Sequence, residues 1–203
     1  VSALYDEALA RAPSVVFLDE FDALSGRRDG SDSGAERRVL AALLSELDGL
    51  DDKRPAGGGY VLTIAATNAP WTIDKAIVSR FGARLIYVPL PDEATRHAIL
   101  KIHIERKGHK SEVQSAELVS RTAGYSGREI EAVVSYAVSS MARRANPDLL
   151  QRAAQGRKAL ENHTLKVVPL AAADFEAAFA AIRPLTTAED VARYAAWRRQ
   201  VEE

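Results

Sequence analysis

Val15-Val16-Phe17-Leu18-Asp19-Glu20 runs four apolar residues into two adjacent acids. The apolar part, begun at Ser14, is too short for a helix and rich in β-branched and aromatic residues. It reads as a central strand buried on both faces. A strand ending this way sets both carboxylates at its C-terminal edge, where α/β folds bind ligands. In nucleotide hydrolases the first such acid helps to hold Mg²⁺ against phosphate, and the second orients and polarises the attacking water. The competing reading of these six residues is structural: a strand followed by an Asp that caps the next helix.

The neighbouring segments extend the α/β pattern. Leu4 to Ala12 reads as a helix with Leu4, Ala8 and Leu9 on one face, ended by Pro13. Ser25 to Gly34 is a polar loop. Val39, Leu40, Leu43, Leu44 and Leu47 fall at helical spacing within Ala35 to Leu47. Asp51 to Gly59 is a Gly-rich loop, and Tyr60 to Ala66 a second buried strand. Thr72 to Arg80 predicts a short helix and Leu85 to Val88 a third strand.

After Pro89-Leu90-Pro91 nearly everything reads as helix: Asp92 to Arg106, Ser115 to Ala123, Ser126 to Arg144, Ala171 to Ile182 and Thr186 to Val201. Thr186 and Glu189 have capping-box spacing, and Pro147 stands where a further helix could begin. The expected division is residues 1–90 as an α/β part and 91–203 as a small helical part.

Composition narrows the class. The 203 residues hold 27 Lys plus Arg against 28 Asp plus Glu, and no cysteine. A hydrophobic fraction of 47% with 27% charged residues is that of a folded globular chain. The net charge of -1 counts against a general nucleic-acid binder. No apolar run is long enough to span a bilayer, so no membrane insertion is expected. With no cysteine there is neither a disulfide framework nor a thiolate metal site, in keeping with a cytoplasmic setting. His97, His103, His109 and His163 form no ligand-spaced cluster.

Beyond the first motif, several segments together resemble the AAA ATPases. Ala12 to Leu24 resembles the Walker B segment, and Arg37-Arg38 with Leu43 to Gly49 the helix that follows it. Ile64-Ala65-Ala66-Thr67-Asn68 resembles the sensor-1 strand, Ser79-Arg80-Phe81 the arginine-finger segment, and Tyr87 to Asp92 the strand leading out of it. Gly124-Tyr125-Ser126-Gly127 resembles the start of the sensor-2 helix. Pro70-Trp71 and the ending around Arg183 to Asp190 with Trp197 are most similar to the group containing katanin, spastin and the ESCRT-III-disassembling ATPases.

The resemblance implies a partial P-loop NTPase α/β subdomain followed by an all-helical lid, with ATP and Mg²⁺ as cofactors. By it, Asp19 would place Mg²⁺, Glu20 would activate water, and Asn68 would be an uncharged amide near the γ-phosphate that both donates and accepts. Arg80 would be an arginine finger acting on a neighbouring subunit's nucleotide in a homo-oligomeric ring, a hexamer. The katanin-like group carries a second arginine just before the finger, where this chain has Ser79; Arg84 is either that finger displaced or an interface charge. Gly124, Ser126 and Gly127 would form a turn close to the adenine, and Ser126 also reads as a helix cap. Asp48-Gly49 resembles an inter-subunit signalling turn or, alternatively, a helix C-cap. The Ser25 to Gly34 loop falls where the family has its second pore loop.

A phosphate cradle of the form G-x-x-x-x-G-K-[ST] occurs nowhere in the chain. The resemblance therefore implies a fragment of a protein-remodelling ATPase acting on a polypeptide substrate, inactive alone, with no nucleic acid as partner. The alternatives are a general Cdc-type unfoldase of the same family, a non-catalytic oligomerisation module and a DNA clamp-loader-like protein.

Overall fold

The computed structural model describes residues 1–25, 34–50, 53, 59–73, 75–81, 85–148, 154, 156 and 164–202. They divide into two units, one of Val1–Tyr87 with Trp197–Glu203, the other Val88–Ala196.

In the first unit, α1 (Ser2–Ala10) leads into β1 (Ser14–Leu18), followed by α2 (Phe21–Ser25), α3 (Gly34–Gly49), β2 (Val61–Ala65), a 3₁₀ turn (Pro70–Thr72) and α4 (Lys75–Arg80). The strands pair in parallel, Ser14 beside Val61 through Leu18 beside Ala65. Parallel neighbours need a crossover, and α3 lies within it. Leu40, Leu43, Leu44 and Leu47 give α3 one apolar face, and Leu43 is buried with Tyr5, Ala8, Val16, Phe21 and Ile77. The Phe21 and Phe81 rings meet edge to face at 5.1 Å. Tyr5 Oη and Thr63 Oγ1 share a hydrogen bond of 3.2 Å, which ties α1 to β2. Where the chain enters β2, Gly59 passes so close to the Ala12-Pro13 backbone that a Cβ would stand 2.7 Å from the Pro13 nitrogen. Only glycine fits there.

Four expectations for this unit are corrected. The buried face of α1 is Tyr5 and Ala8, with Leu4 exposed. The strands are covered on one face only: Val15 and Phe17 on β1, paired with Leu62 and Ile64 on β2, are exposed. Residues 85–88 carry no secondary structure and join no strand ladder among the described residues. The predicted Thr72 to Arg80 helix is a 3₁₀ turn and α4, with Ile73 extended between them.

The second unit holds α5 (Glu93–Lys101), a π-type turn (Ile102–Arg106), α6 (Ser115–Arg121), α7 (Gly127–Ala145), α8 (Ala172–Ala181) and most of α9 (Ala188–Glu202), whose residues from Trp197 belong with the first unit. Asp92 caps α5 by accepting the Thr95 N–H at 2.8 Å. Ile130, Val133, Val134, Ala137 and Met141 line one face of α7 and are buried with Phe175, Ala178 and Phe179 of α8 and with Leu100, Leu118 and Leu170. Several polar groups at the rim of this core are paired. Asp174, 1% exposed, accepts from Arg144 Nη2 at 2.7 Å and from the Ala171 N–H at 3.0 Å. The Asn146 side chain donates to the Lys166 carbonyl at 3.0 Å and accepts its N–H at 2.9 Å. Arg121 grips Glu176 with both terminal nitrogens and lies 4.2 Å from the centre of the Phe179 ring. The expected cap of the last helix is shifted by one residue: Thr187 and Asp190 cap it, with the Asp190 N–H on Thr187 Oγ1 at 3.1 Å.

Candidate functional site

The parallel pairing of β1 and β2 carries Asp19-Glu20 and Thr67-Asn68 off the same edge of the sheet. The ladder continues past the last strand pair: the Ala66 N–H donates to Leu18 O at 2.8 Å and the Phe21 N–H to Ala66 O at 2.9 Å. Asp19 and Glu20 are therefore held between two cross-chain bonds, beside the loop that bears Asn68. Thr67 locks that loop, donating to Asp22 Oδ1 at 2.6 Å while accepting the Ala69 N–H at 3.0 Å. Asp19, Glu20 and Asn68 are exposed at this edge. Asp19 Oδ1 accepts the Glu20 N–H at 2.9 Å.

Glu20 has φ +49°, and it alone of the described non-glycine residues has positive φ. For an L-residue with a long side chain that left-handed conformation costs about 1–2 kcal/mol. It persists because the bonds on either side over-determine the turn from β1 into α2. Strained residues of this kind concentrate at functional sites. The carboxylate pair thus leaves the strand in an irregular turn, with Glu20 immediately before α2 and its carbonyl accepting the Ala23 N–H at 2.9 Å, as at a helix start.

Asp19 is the metal-ligand candidate at this edge. Among the described residues no group of three His, Asp or Glu side chains converges on one point. Mg²⁺ needs no such cage, since it keeps several waters and binds through one or two carboxylates together with phosphate. A single exposed carboxylate at the sheet edge fits that chemistry and does not fit a resident zinc or calcium centre.

Arg80 closes α4, and its Nε donates to Asp48 Oδ2 at 3.0 Å. The contact unites the finger candidate with the signalling-turn candidate, a pairing that sequence spacing did not anticipate. Gly49 is the last residue of α3, in keeping with a helix end. Arg84 and most of the Ser25 to Gly34 and Asp51 to Gly59 loops lie outside the described residues, as does any helix that begins beyond Pro147.

In the second unit, the Gly124 to Gly127 turn opens α7. Gly124 has φ +82°, which requires glycine. Ser126 is a helix cap, as one of its two readings holds: Glu129 accepts the Ser126 N–H at 2.6 Å, and the Glu129 N–H reaches Ser126 Oγ at 3.4 Å. A Cβ at Gly127 would make only ordinary contact with Ile99, so packing alone does not demand glycine there. Burial pushes the Glu129 carboxyl up, but the Ser126 and Leu185 amides with the Ser126 hydroxyl outweigh it and hold it below the usual glutamate value. Sequence reasoning missed Asp22, Thr67, Tyr125 and Glu129. Of these only Glu129 had a signal, the S-x-x-E spacing from Ser126.

The chain is similar in sequence and in fold to known proteins. Residues 1–90 match the family described as "ATPase family associated with various cellular activities (AAA)". The chain is 32% identical over 206 residues to the katanin p60 ATPase-containing subunit A1 of Arabidopsis thaliana, covering 97% of this chain and 38% of that protein. It is 39% identical over 197 residues to a cell division cycle protein 48 homologue of Archaeoglobus fulgidus, covering 96% and 25%. In structure it is similar to the FIGL-1 AAA domain in complex with ADP, with a TM-score of 0.74 at 26% identity, over 98% of this chain and 62% of that one. The chain thus spans well under half the length of these two curated relatives. No helix among the described residues is long and apolar enough to cross a membrane.

Proposed function

Because the chain belongs to the AAA family of ATPases, of the katanin and fidgetin kind, we propose that its residues carry the water-activating edge and the lid of an ATP-hydrolysing module that remodels a polypeptide substrate. Residues 1–90 are the C-terminal half of the α/β subdomain, and residues 91–203 are the lid. Bound Mg²⁺ would neutralise phosphate charge. Asp19 is the residue that would hold it. Glu20 takes the proton of the hydrolytic water at its carboxylate, and the Asn68 amide orients that water, steadied by Thr67 on Asp22. Arg80 supplies positive charge to a neighbouring subunit's nucleotide in a ring, with Arg84 as a candidate second finger. The Gly124 to Gly127 turn, with Ser126, lies beside the base.

One observation carries this reading: Asp19-Glu20 and Thr67-Asn68 stand side by side at one strand edge, with Glu20 in a strained turn. The 39% identity to the cell division cycle protein 48 homologue supports a second reading, a general unfoldase using the same chemistry; Pro70-Trp71 supports the katanin-like one.

These 203 residues hold no G-x-x-x-x-G-K-[ST] cradle, so by themselves they lack the backbone N–H groups and lysine that grip phosphates. Titration calorimetry of the chain with Mg-ATP should detect no micromolar binding. In a polypeptide joining these residues to a phosphate-binding half, Glu20→Gln should retain nucleotide affinity and lose turnover by about 10²-fold or more. Near-normal turnover in that variant removes Glu20 from the chemistry.

A further inference from the structure

Between α8 and α9 the chain runs through Ile182-Arg183-Pro184-Leu185 without secondary structure. Two side chains from the opening of α7 hold it. Tyr125 Oη donates to the Ile182 carbonyl at 3.0 Å. Glu129 Oε1 accepts the Leu185 N–H at 2.6 Å, while its other oxygen accepts the Ser126 N–H. One carboxylate thus divides its two oxygens between the turn and a segment 56 residues away. Both anchors are buried: Tyr125 packs edge to face on Phe179 at 6.1 Å, and Glu129 is nearly inaccessible. Three residues past the clamp α9 begins, capped by Thr187 and Asp190.

We propose that Tyr125 and Glu129 couple the Gly124 to Gly127 turn to the root of α9, so that the two can only reshape together. A buried carboxylate cannot leave one N–H without stranding charge, and an amide that loses a charged acceptor inside the protein forfeits more than an ordinary bond. Release of the turn would therefore loosen the root of α9, and displacement of the root would unfasten the turn. Glu129 and Tyr125 are positioning residues in this device. The inference holds whether or not a nucleotide occupies the turn, so its failure and that of the functional reading are distinguishable.

Leu185 permits a clean test, because its side chain is 83% exposed while its N–H is engaged. Leu185→Pro deletes the N–H with little packing lost, and Leu185→Ala keeps it. Amide hydrogen exchange of the whole chain, followed by NMR, is read at Ser126 on the turn and at Val191, whose N–H bonds Thr187 O at 3.1 Å in the first turn of α9. Leu185→Pro should speed exchange at both amides by about 5- to 10-fold, the scale of one lost net hydrogen bond. Leu185→Ala should leave both within about twofold. Faster exchange at Val191 with Ser126 unchanged would overturn the coupling. Tyr125→Phe, which removes one hydroxyl, tests it from the other side and serves if Leu185→Pro fails to fold. The Leu185 amide should then exchange about threefold faster or more; a wild-type rate there would equally overturn the proposal.

Discussion

In residues 88–196 the core closes on all sides: Ile130, Val133, Ala137, Leu170 and Ala178 keep no exposed surface. In residues 1–87 the sheet keeps Val15 and Phe17 about 60% exposed on one face. The two regions draw on similar apolar residues, so the difference lies in architecture. A helix needs one apolar stripe covered, and α7 finds α8 against it. A parallel strand is apolar on both faces because it normally carries layers on both. Val15, Phe17, Leu62 and Ile64 form an apolar patch for which the described residues provide no covering layer. The helical region thus buries its own core, and the sheet region carries the apolar surface that calls for a cover.

The heaviest blow to this contrast falls on the closed core. Phe175→Ala removes a ring that is 1% exposed and should cost residues 88–196 about 3–5 kcal/mol, read from chemical denaturation followed by circular dichroism. A cost below about 1 kcal/mol would mean that this core is not closed.

Next comes the Arg144–Asp174 ion pair, whose carboxylate is buried and whose guanidinium is exposed. Burial pushes the Asp174 carboxyl up, but Arg144 and the Ala171 amide outweigh it and hold it below its ordinary value. Glu129 is held low in the same sense. The unfolded chain therefore binds more protons than the folded one between the lowered and the ordinary values. Stability of this region should be full above about pH 5 and fall as pH drops through the ordinary and then the lowered values. Asp174→Ala should cost about 2–3 kcal/mol at neutral pH and flatten the acid decline. An acid profile identical to that of the wild type would show that Asp174 ionises as it does in the unfolded chain.

The smallest effect is expected on the open sheet. Phe17→Thr keeps a β-former and should change the chain's stability by less than about 0.5 kcal/mol while reducing self-association in sedimentation experiments. A loss comparable with that of Phe175→Ala would mean that the face is covered in solution.

The two regions also differed in how far their sequence could be read. Helices with one apolar stripe declare themselves by spacing, so α3, α7 and α8 fall where the leucines, valines and phenylalanines predict. The strands were legible as apolar runs, but a strand is completed by its neighbours. Residues 85–88 have the composition without a ladder, and β1 and β2 have two apolar faces with one covered. The cap of α9 was misplaced by one residue because Thr186-Thr187 and Glu189-Asp190 satisfy the same spacing in two registers. At the candidate site the acids and Asn68 were legible as motifs. The left-handed turn at Glu20, the Thr67 to Asp22 bond and the Arg80 to Asp48 pair were not, since each depends on contacts that spacing does not encode.

We propose that Glu20 and Arg80 serve one hydrolytic reaction from two subunits. Head-to-tail contacts that close make a ring, and an arginine finger from a neighbour is worth ~10³–10⁵ in rate where measured. The most direct measurement mixes Arg80→Ala with Glu20→Gln subunits of a polypeptide that also carries the phosphate-binding half, each nearly inactive alone, and follows phosphate release. An interface with both an intact finger and an intact carboxylate forms only in the mixture, so turnover should return there. Mixed rings shown to exchange subunits, yet as inactive as either variant alone, would contradict the account.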